Sequence, residues 1–454
     1  METASPKQPT YRDALAAIWA RSGYDSGFIS NPFAGDDAAK LGLVRTRRLL
    51  DRLGAPDQRF GIVHVAGSKG KGSTCAFIER ILRAADYRVG RYTSPHLHRF
   101  RDRFAIDGEA IDEADFARHL AATVGAAECI ERDEPELGEI TAFELTTAMA
   151  FAVFAAHDRE LAVIEVGMGG ALDATNVVTP LVSAIAPLDY EHTAVLGSTM
   201  AEIARNKAGI IKPGRPVAVA AQEPEAIAVI EARARAVGSP ILLGGRDWHV
   251  AGAWDRFTAT GPWGRIAGLR SGLIGPHQTE NAGLALATCF LLEQSNVRVP
   301  EQAIRRGIAA TVWPGRFEEV TLPSEQRVII DGAHTPASAR ALTAALRSRY
   351  PGKRAAFVVG LLRDKDPLAF VAALAPVAAQ WFLTAPESPR ALPGSDLTSA
   401  LAALTPTPTT VDSTAGALAA AVAGMAPLIV VTGSLTMAAE ARVALGLATN
   451  DPKP

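Results

Sequence analysis

The sequence predicts an α/β protein: a mostly parallel sheet domain that contains a phosphate-binding loop (P-loop), followed by a smaller Rossmann-like α/β domain. Short apolar runs typical of buried strands alternate with longer helical runs, which is the pattern of a parallel sheet covered by helices. The alternation breaks at Trp313-Pro314-Gly315-Arg316 and then restarts. Because 454 residues exceed what one hydrophobic core usually serves, we expect residues 1–312 and 313–454 to form two domains.

The first domain begins with helical spacing and continues as strand–helix units. Gly, Ser, Asn and Asp are frequent at 22–37, which predicts a loop, and irregular sequence at 244–272 indicates a small β excursion. The run at 141–156 is apolar on nearly every side, so this helix should be buried. The predicted strands cover 61–66, 88–92, 161–166, 182–187 and 216–220, and the predicted helices cover 11–20, 46–53, 75–85, 115–127, 141–156 and 200–211, with two more beginning at Asn281 and Glu301.

The second domain repeats the alternation with shorter units. Four apolar runs predict its strands, and helical runs lie between or after them. The strands are predicted at 328–330, 355–359, 381–384 and 428–431, and the helices begin at Ala337, Pro367, Leu397, Ala415 and Thr436.

The composition is that of an ordinary globular protein, with 48% hydrophobic residues, 21% charged residues and a net charge of −2. This balance predicts neither a nucleic acid nor an anionic membrane as partner. The three cysteines, Cys75, Cys129 and Cys289, are scattered and predict no disulfide framework or metal cluster. The chain lacks a signal-like N-terminus and an apolar run long enough to span a bilayer, so we expect a soluble cytoplasmic protein.

The strongest motif follows the first predicted strand. There the sequence reads Gly67-Ser68-Lys69-Gly70-Lys71-Gly72-Ser73-Thr74 and then becomes helical. Strand, glycine-rich loop and helix start in this order make a phosphate cradle, in which N–H groups face the anion, Lys71 supplies a positive charge and a hydroxyl serves Mg²⁺. The match to a standard P-loop is imperfect, since Gly72 separates the lysine from the first hydroxyl, and a glycine cluster alone is more often an ordinary turn.

Several other polar residues stand at the ends of predicted strands or inside apolar helices, where ligands of α/β sheets bind. Glu144 lies in an apolar helix and needs a partner, unless it is a helix-start residue near solvent. His192 follows a strand end and is either solvated or part of a site. Lys207 lies on the inward face of its helix, where it must find an anion, lose its charge or reach solvent. Asp331 and His334 end a strand of the second domain, either as a plain turn or as a nucleotide or substrate contact.

Seven motifs follow one another along the chain. They are His64-Val65-Ala66-Gly67-Ser68-Lys69-Gly70-Lys71-Gly72-Ser73-Thr74-Cys75, Thr93-Ser94-Pro95-His96-Leu97, Glu165-Val166-Gly167-Met168-Gly169-Gly170-Ala171-Leu172-Asp173-Ala174-Thr175-Asn176, Asn206-Lys207-Ala208-Gly209-Ile210, Pro314-Gly315-Arg316-Phe317, Asp331-Gly332-Ala333-His334 and Gly433-Ser434-Leu435. Taken together, these motifs resemble the folylpolyglutamate synthases of the Mur ligase superfamily. The resemblance runs from about Tyr11 to Leu435 and explains the inserted Gly72, which the family's loop also carries.

The resemblance implies an enzyme that adds L-glutamate to a folate carboxylate, through an acyl phosphate made with ATP. It implies ATP and two Mg²⁺ ions as cofactors, folate or dihydropteroate with L-glutamate as substrates, and we expect a monomer. Lys207 resembles the family's carbamylated lysine, and since CO₂ adds only to a neutral amine, this lysine needs a lowered pKa.

The resemblance also implies a role for each matching residue. The implied catalytic residues are Lys71, His192 and Lys207. Those implied to bind ATP are Gly70, Lys71, Gly72, Ser73, Asn281, Arg316 and Asp331. The Mg²⁺ ligands would be Ser73, Ser94 and Glu144 at one site and Glu144, His192 and Lys207 at the other, and His334 and Ser434 would hold the incoming glutamate.

Two other functions stay open at this point. A Mur-type ligase acting on a different carboxylate is disfavoured because the P-loop begins near residue 64, which leaves little chain before it for a UDP-binding domain. A P-loop NTPase or binding module without ligase activity is disfavoured because it has no need of His192, Lys207 and His334 at these motif positions.

Overall fold

The computed structural model describes residues 9–21, 36–191, 193–402 and 407–452. Most of the loop predicted at 22–37, and His192, therefore lie outside the described residues. The described part of the chain contains three sheets, of eight, three and six strands. The predicted fold class is confirmed, since two α/β units follow one another. Position 312/313, where the domain boundary is predicted, lies in the segment between the last helix of the first unit and the first strand of the second, and the boundary itself stays a prediction.

The first sheet has the strand order β4-β3-β2-β5-β1-β6-β7-β8. Strand β1 pairs in parallel with both β5 and β6, and the strands from β2 to β8 are otherwise parallel, whereas β3 and β4 form an antiparallel edge. Its strands are β1 (Gly61–Ala66), β2 (Val89–Tyr92), β3 (Phe104–Ile106), β4 (Glu109–Ala110), β5 (Leu161–Glu165), β6 (Val182–Ile185), β7 (Val217–Val219) and β8 (Ile241–Leu243).

Helices cover both faces of this sheet. Side chains alternate along β1, so that Val63 and Val65 join the core under α3 and α9, while Ile62 joins the core under α1, α4 and α5. The helices are α1 (Tyr11–Ala20), α2 (Asp36–Arg52), α3 (Lys71–Ala84), α4 (Glu113–Asp133), α5 (Ala142–Ala156), α6 (Thr193–Leu196), α7 (Met200–Ala208), α8 (Pro224–Ala236), α9 (Pro276–Leu292) and α10 (Glu301–Ala310). The excursion predicted at 244–272 is an antiparallel sheet of β9 (His249–Ala253), β10 (Arg256–Gly261) and β11 (Gly264–Leu269).

The second unit is a six-stranded sheet with the order β12-β13-β17-β14-β15-β16. Its pairs are parallel except β12 with β13. The strands are β12 (Glu318–Thr321), β13 (Arg327–Ile330), β14 (Ala355–Val359), β15 (Ala378–Leu383), β16 (Thr409–Thr410) and β17 (Leu428–Thr432). The helices are α11 (Pro336–Arg349), α12 (Pro367–Leu374), α13 (Gly394–Ala400), α14 (Thr414–Ala423) and α15 (Leu435–Ala444).

The helix starts differ from the predictions at two places that matter for the site. Helix α3 begins at Lys71 rather than at residue 75, because Gly70 takes the left-handed φ of 78° and turns the loop directly into the helix. Helix α9 begins at Pro276 rather than at Asn281, with the proline in the first turn, where its missing N–H costs nothing. Among the described residues, no helix is long and apolar enough to cross a bilayer.

Candidate active site

The P-loop joins the carboxyl end of β1 to the first turn of α3. The backbone N–H groups of Ser68 and Lys69 both donate to the Pro187 carbonyl at 3.0 Å, which fixes the loop against the end of β6. Helix α3 starts at Lys71, so the N–H groups of its first turn have no carbonyl within the helix to bond. These donors and the positive end of the helix dipole make the loop a cradle for an anion.

The loop also makes a close approach to α9. A Cβ added at Gly70 would lie 2.3 Å from Oδ1 of Asn281, so only glycine fits there. Asn281 is buried, and its Nδ2 donates to Gln278 Oε1 at 2.9 Å. The structure therefore brings Asn281 to the P-loop, beside Gly70.

A buried carboxylate, Glu165, stands beside the P-loop lysine at the end of β5. Its Oε1 lies 3.9 Å from Lys71 Nζ, and its Oε2 accepts a hydrogen bond from the Ser94 backbone N–H at 3.1 Å. Burial raises the pKa of Glu165, and the lysine acts in the opposite direction. The ends of β1, β2 and β5 thus bring the P-loop, Ser94 and Glu165 together, next to the buried Ser73 of α3.

Glu144, near the start of α5, has a different partner. Both of its carboxylate oxygens accept hydrogen bonds from Arg45, at 2.8 and 2.7 Å, and Oε2 also accepts from the Thr141 N–H at 3.0 Å. Glu144 and Thr141 form a capping box at the start of α5. In this structure Glu144 is thus engaged as a capping and ion-pairing residue, and Glu165 is the carboxylate beside the P-loop lysine. The metal-ligand role of Glu144 stays a prediction.

Lys207 of α7 is buried against the loop. Its Nζ donates to the Gly67 carbonyl at 2.9 Å, and only 4% of the residue is exposed. Burial, with the nearby Lys71 charge, lowers the pKa of Lys207 to about 7. A large share of these amines is therefore neutral at physiological pH, which is the protonation state that nucleophilic attack on CO₂ requires.

Glu191 links the loop to the second unit. Its carboxylate forms an ion pair with Lys69, and its Oε1 lies 3.8 Å from Nε2 of His334. The other ring nitrogen of His334 lies 2.9 Å from the Gly332 carbonyl, which can only accept, so Nδ1 carries the hydrogen. Burial lowers the pKa of His334 to about 4, and Nε2 is an acceptor in the neutral ring that results.

The second unit adds more polar groups to this edge. The buried Asp331 accepts from the Phe317 N–H at 2.8 Å and from the Ala333 N–H at 2.9 Å, and burial raises its pKa. Arg316 approaches so closely that a Cβ on Gly332 would lie 2.5 Å from its Nη1. Ser434 is the buried N-cap of α15, with Oγ accepting from the Met437 N–H at 3.0 Å.

A cavity of about 980 Å³ opens between the two units beside the P-loop. Its wall is rich in arginine, and Arg91 stacks over the Trp313 ring at 4.6 Å. Residues of its wall that also belong to the site are Gly72, Ser94, Glu165 and Arg316. The wall supplies cations and N–H donors on both sides of a space large enough for a drug-sized ligand, so the arrangement is suited to binding an extended anion next to a bound phosphate.

Comparison with known proteins gives the same two units. Residues 65–289 match the Mur ligase middle domain, and residues 315–435 match the Mur ligase glutamate ligase domain. The chain is 37% identical over 356 residues to the folylpolyglutamate synthase of Lacticaseibacillus casei, a match that covers 77% of this chain and 82% of that protein. The chain belongs to the folylpolyglutamate synthase family. The dihydrofolate synthase/folylpolyglutamate synthase of Bacillus subtilis is 34% identical over 367 residues, 79% of this chain and 84% of that protein.

Solved structures of the family have the same fold. A Mycobacterium tuberculosis folylpolyglutamate synthase complexed with ADP is 31% identical and superposes with a TM-score of 0.83, over 91% of this chain and 96% of that one. A folylpolyglutamate synthase complex with AMPPCP and folate is 33% identical with a TM-score of 0.81, over 96% of this chain and all of that one. The nucleotide and folate in these complexes are properties of those proteins.

Three residues that the structure places at the P-loop are not among the predicted site residues. Lys69 and Glu191 form an ion pair, but they lie 122 positions apart, and nothing local in the sequence pairs them. Glu165 does have a sequence signal, because it ends a buried strand two residues before Gly167, and ligand-binding residues of α/β sheets stand at such strand ends.

Proposed function

We infer that this protein is an ATP-dependent ligase that adds L-glutamate to a carboxylate of folate. The observation that carries this proposal is the meeting of both units over the P-loop, where Glu191 lies between Lys69 and His334. A ligase must bring a nucleotide, an acid and an amine to one point, and relatives named as folylpolyglutamate synthases match the chain through both units.

The reaction proceeds in two balanced steps. A carboxylate oxygen of folate attacks the γ-phosphorus of ATP, so that ADP leaves and a folyl acyl phosphate forms. The ammonium of L-glutamate loses a proton to solvent, and the free amine attacks the acyl carbon. The amide bond forms, inorganic phosphate leaves with the displaced oxygen, and the second proton lost by the nitrogen passes to the phosphate. Negative charge gathers on the transferring group in the first step, and Lys71 with the N–H groups of Gly70, Gly72 and Ser73 stabilises it.

The donor set at the loop suits Mg²⁺, which prefers hard oxygen ligands. Ser73 and Ser94 would hold one ion, and His192, which lies outside the described residues, would hold the second with a modified Lys207. For the carboxylate that serves both ions we propose Glu165, because it lies 3.9 Å from Lys71 Nζ, whereas both oxygens of Glu144 are paired with Arg45. The resemblance implies Glu144 at this position, so Glu144 stays the alternative ligand. The ions, when bound, neutralise charge on the nucleotide phosphates.

The modification of Lys207 is carbamylation. The neutral amine attacks CO₂, a C–N bond forms, and one proton is released to solvent, which leaves an N-carboxylate. The lowered pKa supports this step because it supplies the neutral amine. The product is an anion with oxygen donors, and this converts a buried cation beside Lys71 into a counter-charge for it.

The remaining residues position the substrates. Asn281 beside Gly70, with Arg316 and Asp331 of the second unit, would hold the nucleotide. His334, through the neutral Nε2 beside Glu191, would accept a hydrogen bond from the glutamate ammonium, and Ser434 would also hold the glutamate. Closure of the two units is then part of catalysis, with the hinge at Trp313–Gly315 in the segment between α10 and β12.

A second activity, dihydrofolate synthesis from dihydropteroate and L-glutamate, follows the same chemistry. It is supported by the relatives of Bacillus subtilis and Escherichia coli, whose names carry both activities. A monomeric state and a cytoplasmic location stay predictions.

The test is phosphate release by the purified protein with tetrahydrofolate, its monoglutamates and dihydropteroate, each with and without L-glutamate. We expect release only when a pterin acid and the amino acid are both present. Release without an amino acid would instead show an NTPase. Release with a peptidoglycan precursor and not with a folate would show a Mur-type ligase of other specificity.

A further inference from the structure

Two histidines and an aspartate come together far from the active site, where α4 packs against the end of α5. One ligand atom from each of Asp115, His119 and His157 lies within 4.8 Å of the other two. Asp115 and His119 are one helical turn apart and share a face of α4, and His157 is the C-cap of α5. Among the side chains that the structure describes, this is the one group of three His, Cys, Asp or Glu residues with such spacing.

The geometry of the cluster is close to that of a tetrahedral metal site. His119 Nε2 lies 3.5 Å from Asp115 Oδ1, and bonds of 2.0–2.2 Å to a zinc ion place tetrahedral ligand atoms about 3.3 Å apart. His157 Nε2 and Asp115 Oδ2 are 2.6 Å apart, so this hydrogen bond would open by less than about 1 Å to admit an ion.

A second observation points to a missing ligand. Nε2 of His119 is fully buried and has no hydrogen-bond partner in the structure, although it faces the Asp115 carboxylate. A buried polar atom without a partner is unfavourable, and a bound cation would satisfy it.

We propose that Asp115, His119 and His157 form a site for a transition-metal dication of the zinc class. Two imidazoles and one carboxylate suit Zn²⁺ and its neighbours, whereas Mg²⁺ and Ca²⁺ take oxygen ligands. The site is separate from the catalytic one. His157 precedes β5 and Glu165 ends it, so the two lie toward opposite ends of this strand, whose five residues span about 13 Å.

The competing cation is Arg118, which forms an ion pair with Asp115 and is largely exposed. It can swing into solvent when a metal binds, and its charge opposes that binding. The backbone of His157 is held by a second arginine. The His157 carbonyl accepts hydrogen bonds from Nε and Nη2 of Arg159, at 2.9 and 2.6 Å, and the imidazole is left free to bind a metal. These surroundings make the site one of moderate affinity, and removal of Arg118 should tighten it.

The test is a Zn²⁺ titration of the chelator-treated full-length protein against a chromophoric competitor, with Mg²⁺ and ADP saturating so that the catalytic site is occupied. We expect one Zn²⁺ equivalent to bind, with at least ~10-fold weaker binding in His119→Ala, His157→Ala and the double variant. Arg118→Ala should bind as tightly as the unchanged protein or more tightly. His249→Ala, which removes an exposed imidazole of β9, should bind unchanged.

Co²⁺ in place of Zn²⁺ adds a spectroscopic readout, since a site of this type gives visible absorption bands that the double variant should lack. Equal binding by the unchanged protein and the double variant, or no stoichiometric binding by either, would overturn the proposal and leave the cluster as an ion pair. If the double variant fails to fold, His157→Ala alone decides the question, because its side chain is 36% exposed and tolerates truncation.

Discussion

Nε2 of His334 lies 3.8 Å from Oε1 of Glu191, and this contact joins the second unit of the protein to the P-loop of the first. Glu191 is also ion-paired with Lys69 of the P-loop. The same carboxylate therefore contacts the P-loop and faces His334, the residue proposed to hold the incoming glutamate. Under the proposed function, this arrangement would couple nucleotide binding to the position of the amine.

Glu191→Gln should weaken this coupling while keeping the shape of the side chain. We expect kcat/KM for L-glutamate to fall on the order of tenfold, about 1.4 kcal/mol, because the charge that holds Lys69 is lost. Steady-state kinetics at varied L-glutamate measure the change, with Glu223→Gln, an exposed carboxylate of α8's N-cap, as the matched control. An unchanged kcat/KM would show that Glu191 has no part in positioning.

Lys71→Ala should remove turnover. The lysine supplies the positive charge at the transferring phosphoryl group, and loss of such a group lowers kcat by roughly 10²–10³-fold or more. The side chain is 18% exposed, so the variant should fold, which a thermal melt checks. Near-normal ADP formation by a folded Lys71→Ala protein would contradict the P-loop assignment.

Glu165→Gln and Glu144→Gln should separate catalysis from stability. Glu165→Gln should lose roughly 10²-fold in kcat with a weaker response to Mg²⁺, because a ligand at the P-loop is neutralised. Glu144→Gln should keep most of its kcat but lose on the order of 3 kcal/mol in free energy of unfolding, because it leaves Arg45 buried without its counter-charge. Urea unfolding and Mg²⁺ titrations of activity measure both, and the reverse pattern would restore Glu144 as the metal ligand.

Lys207→Ala should be inactive and partly rescued by a short carboxylic acid such as acetate. The small acid fills the space and supplies the oxygen donors that the carbamate would have supplied. Restored turnover that rises with acetate concentration is the expected result. Lys71→Ala serves as the control that acetate should not rescue, and activity of Lys207→Ala without any acid would rule out the carbamate.

The lowered pKa of Lys207 also makes stability depend on pH. Its pKa is about 7 in the folded protein and 10.5 ordinarily, so between these values the unfolded chain binds the extra proton. The free energy of unfolding should therefore rise with pH from about 7 to 10, by up to about 1.4 kcal/mol per pH unit, and be flat below that range. Urea unfolding in CO₂-free buffer at pH 7 and 9 should show a larger gain for the unchanged protein than for Lys207→Met, and equal gains would contradict the lowered pKa.

The parts of the fold that could be predicted are those with a local cause. The strand β1, the P-loop and the inward face of Lys207 each follow from periodicity or from glycine spacing within one element. The edge strands β3, β4, β12 and β16 are two to four residues long, too short for a periodic signal. Their pairing is decided by the sheet beside them.

Glu144 shows why a partner far along the chain could not be predicted. A buried carboxylate in an apolar helix requires a partner, and in the structure that partner is Arg45, 99 positions earlier in the chain. Sequence alone does not distinguish an arginine from a metal ion as the counter-charge. Glu165 is also a buried carboxylate, and its counter-charge is Lys71. Only the folded structure, in which the end of β5 meets the P-loop, shows that this carboxylate lies beside the P-loop lysine.

The central claim is that the folate carboxylate is activated by phosphorylation. It is tested most directly with a folate whose reacting carboxylate carries oxygen-18, incubated with ATP, L-glutamate and the enzyme. The acyl phosphate route predicts that each phosphate released contains one oxygen-18 atom, taken from the carboxylate, and that release requires L-glutamate. Phosphate without the label would show that ATP is hydrolysed by water and would contradict the ligase mechanism.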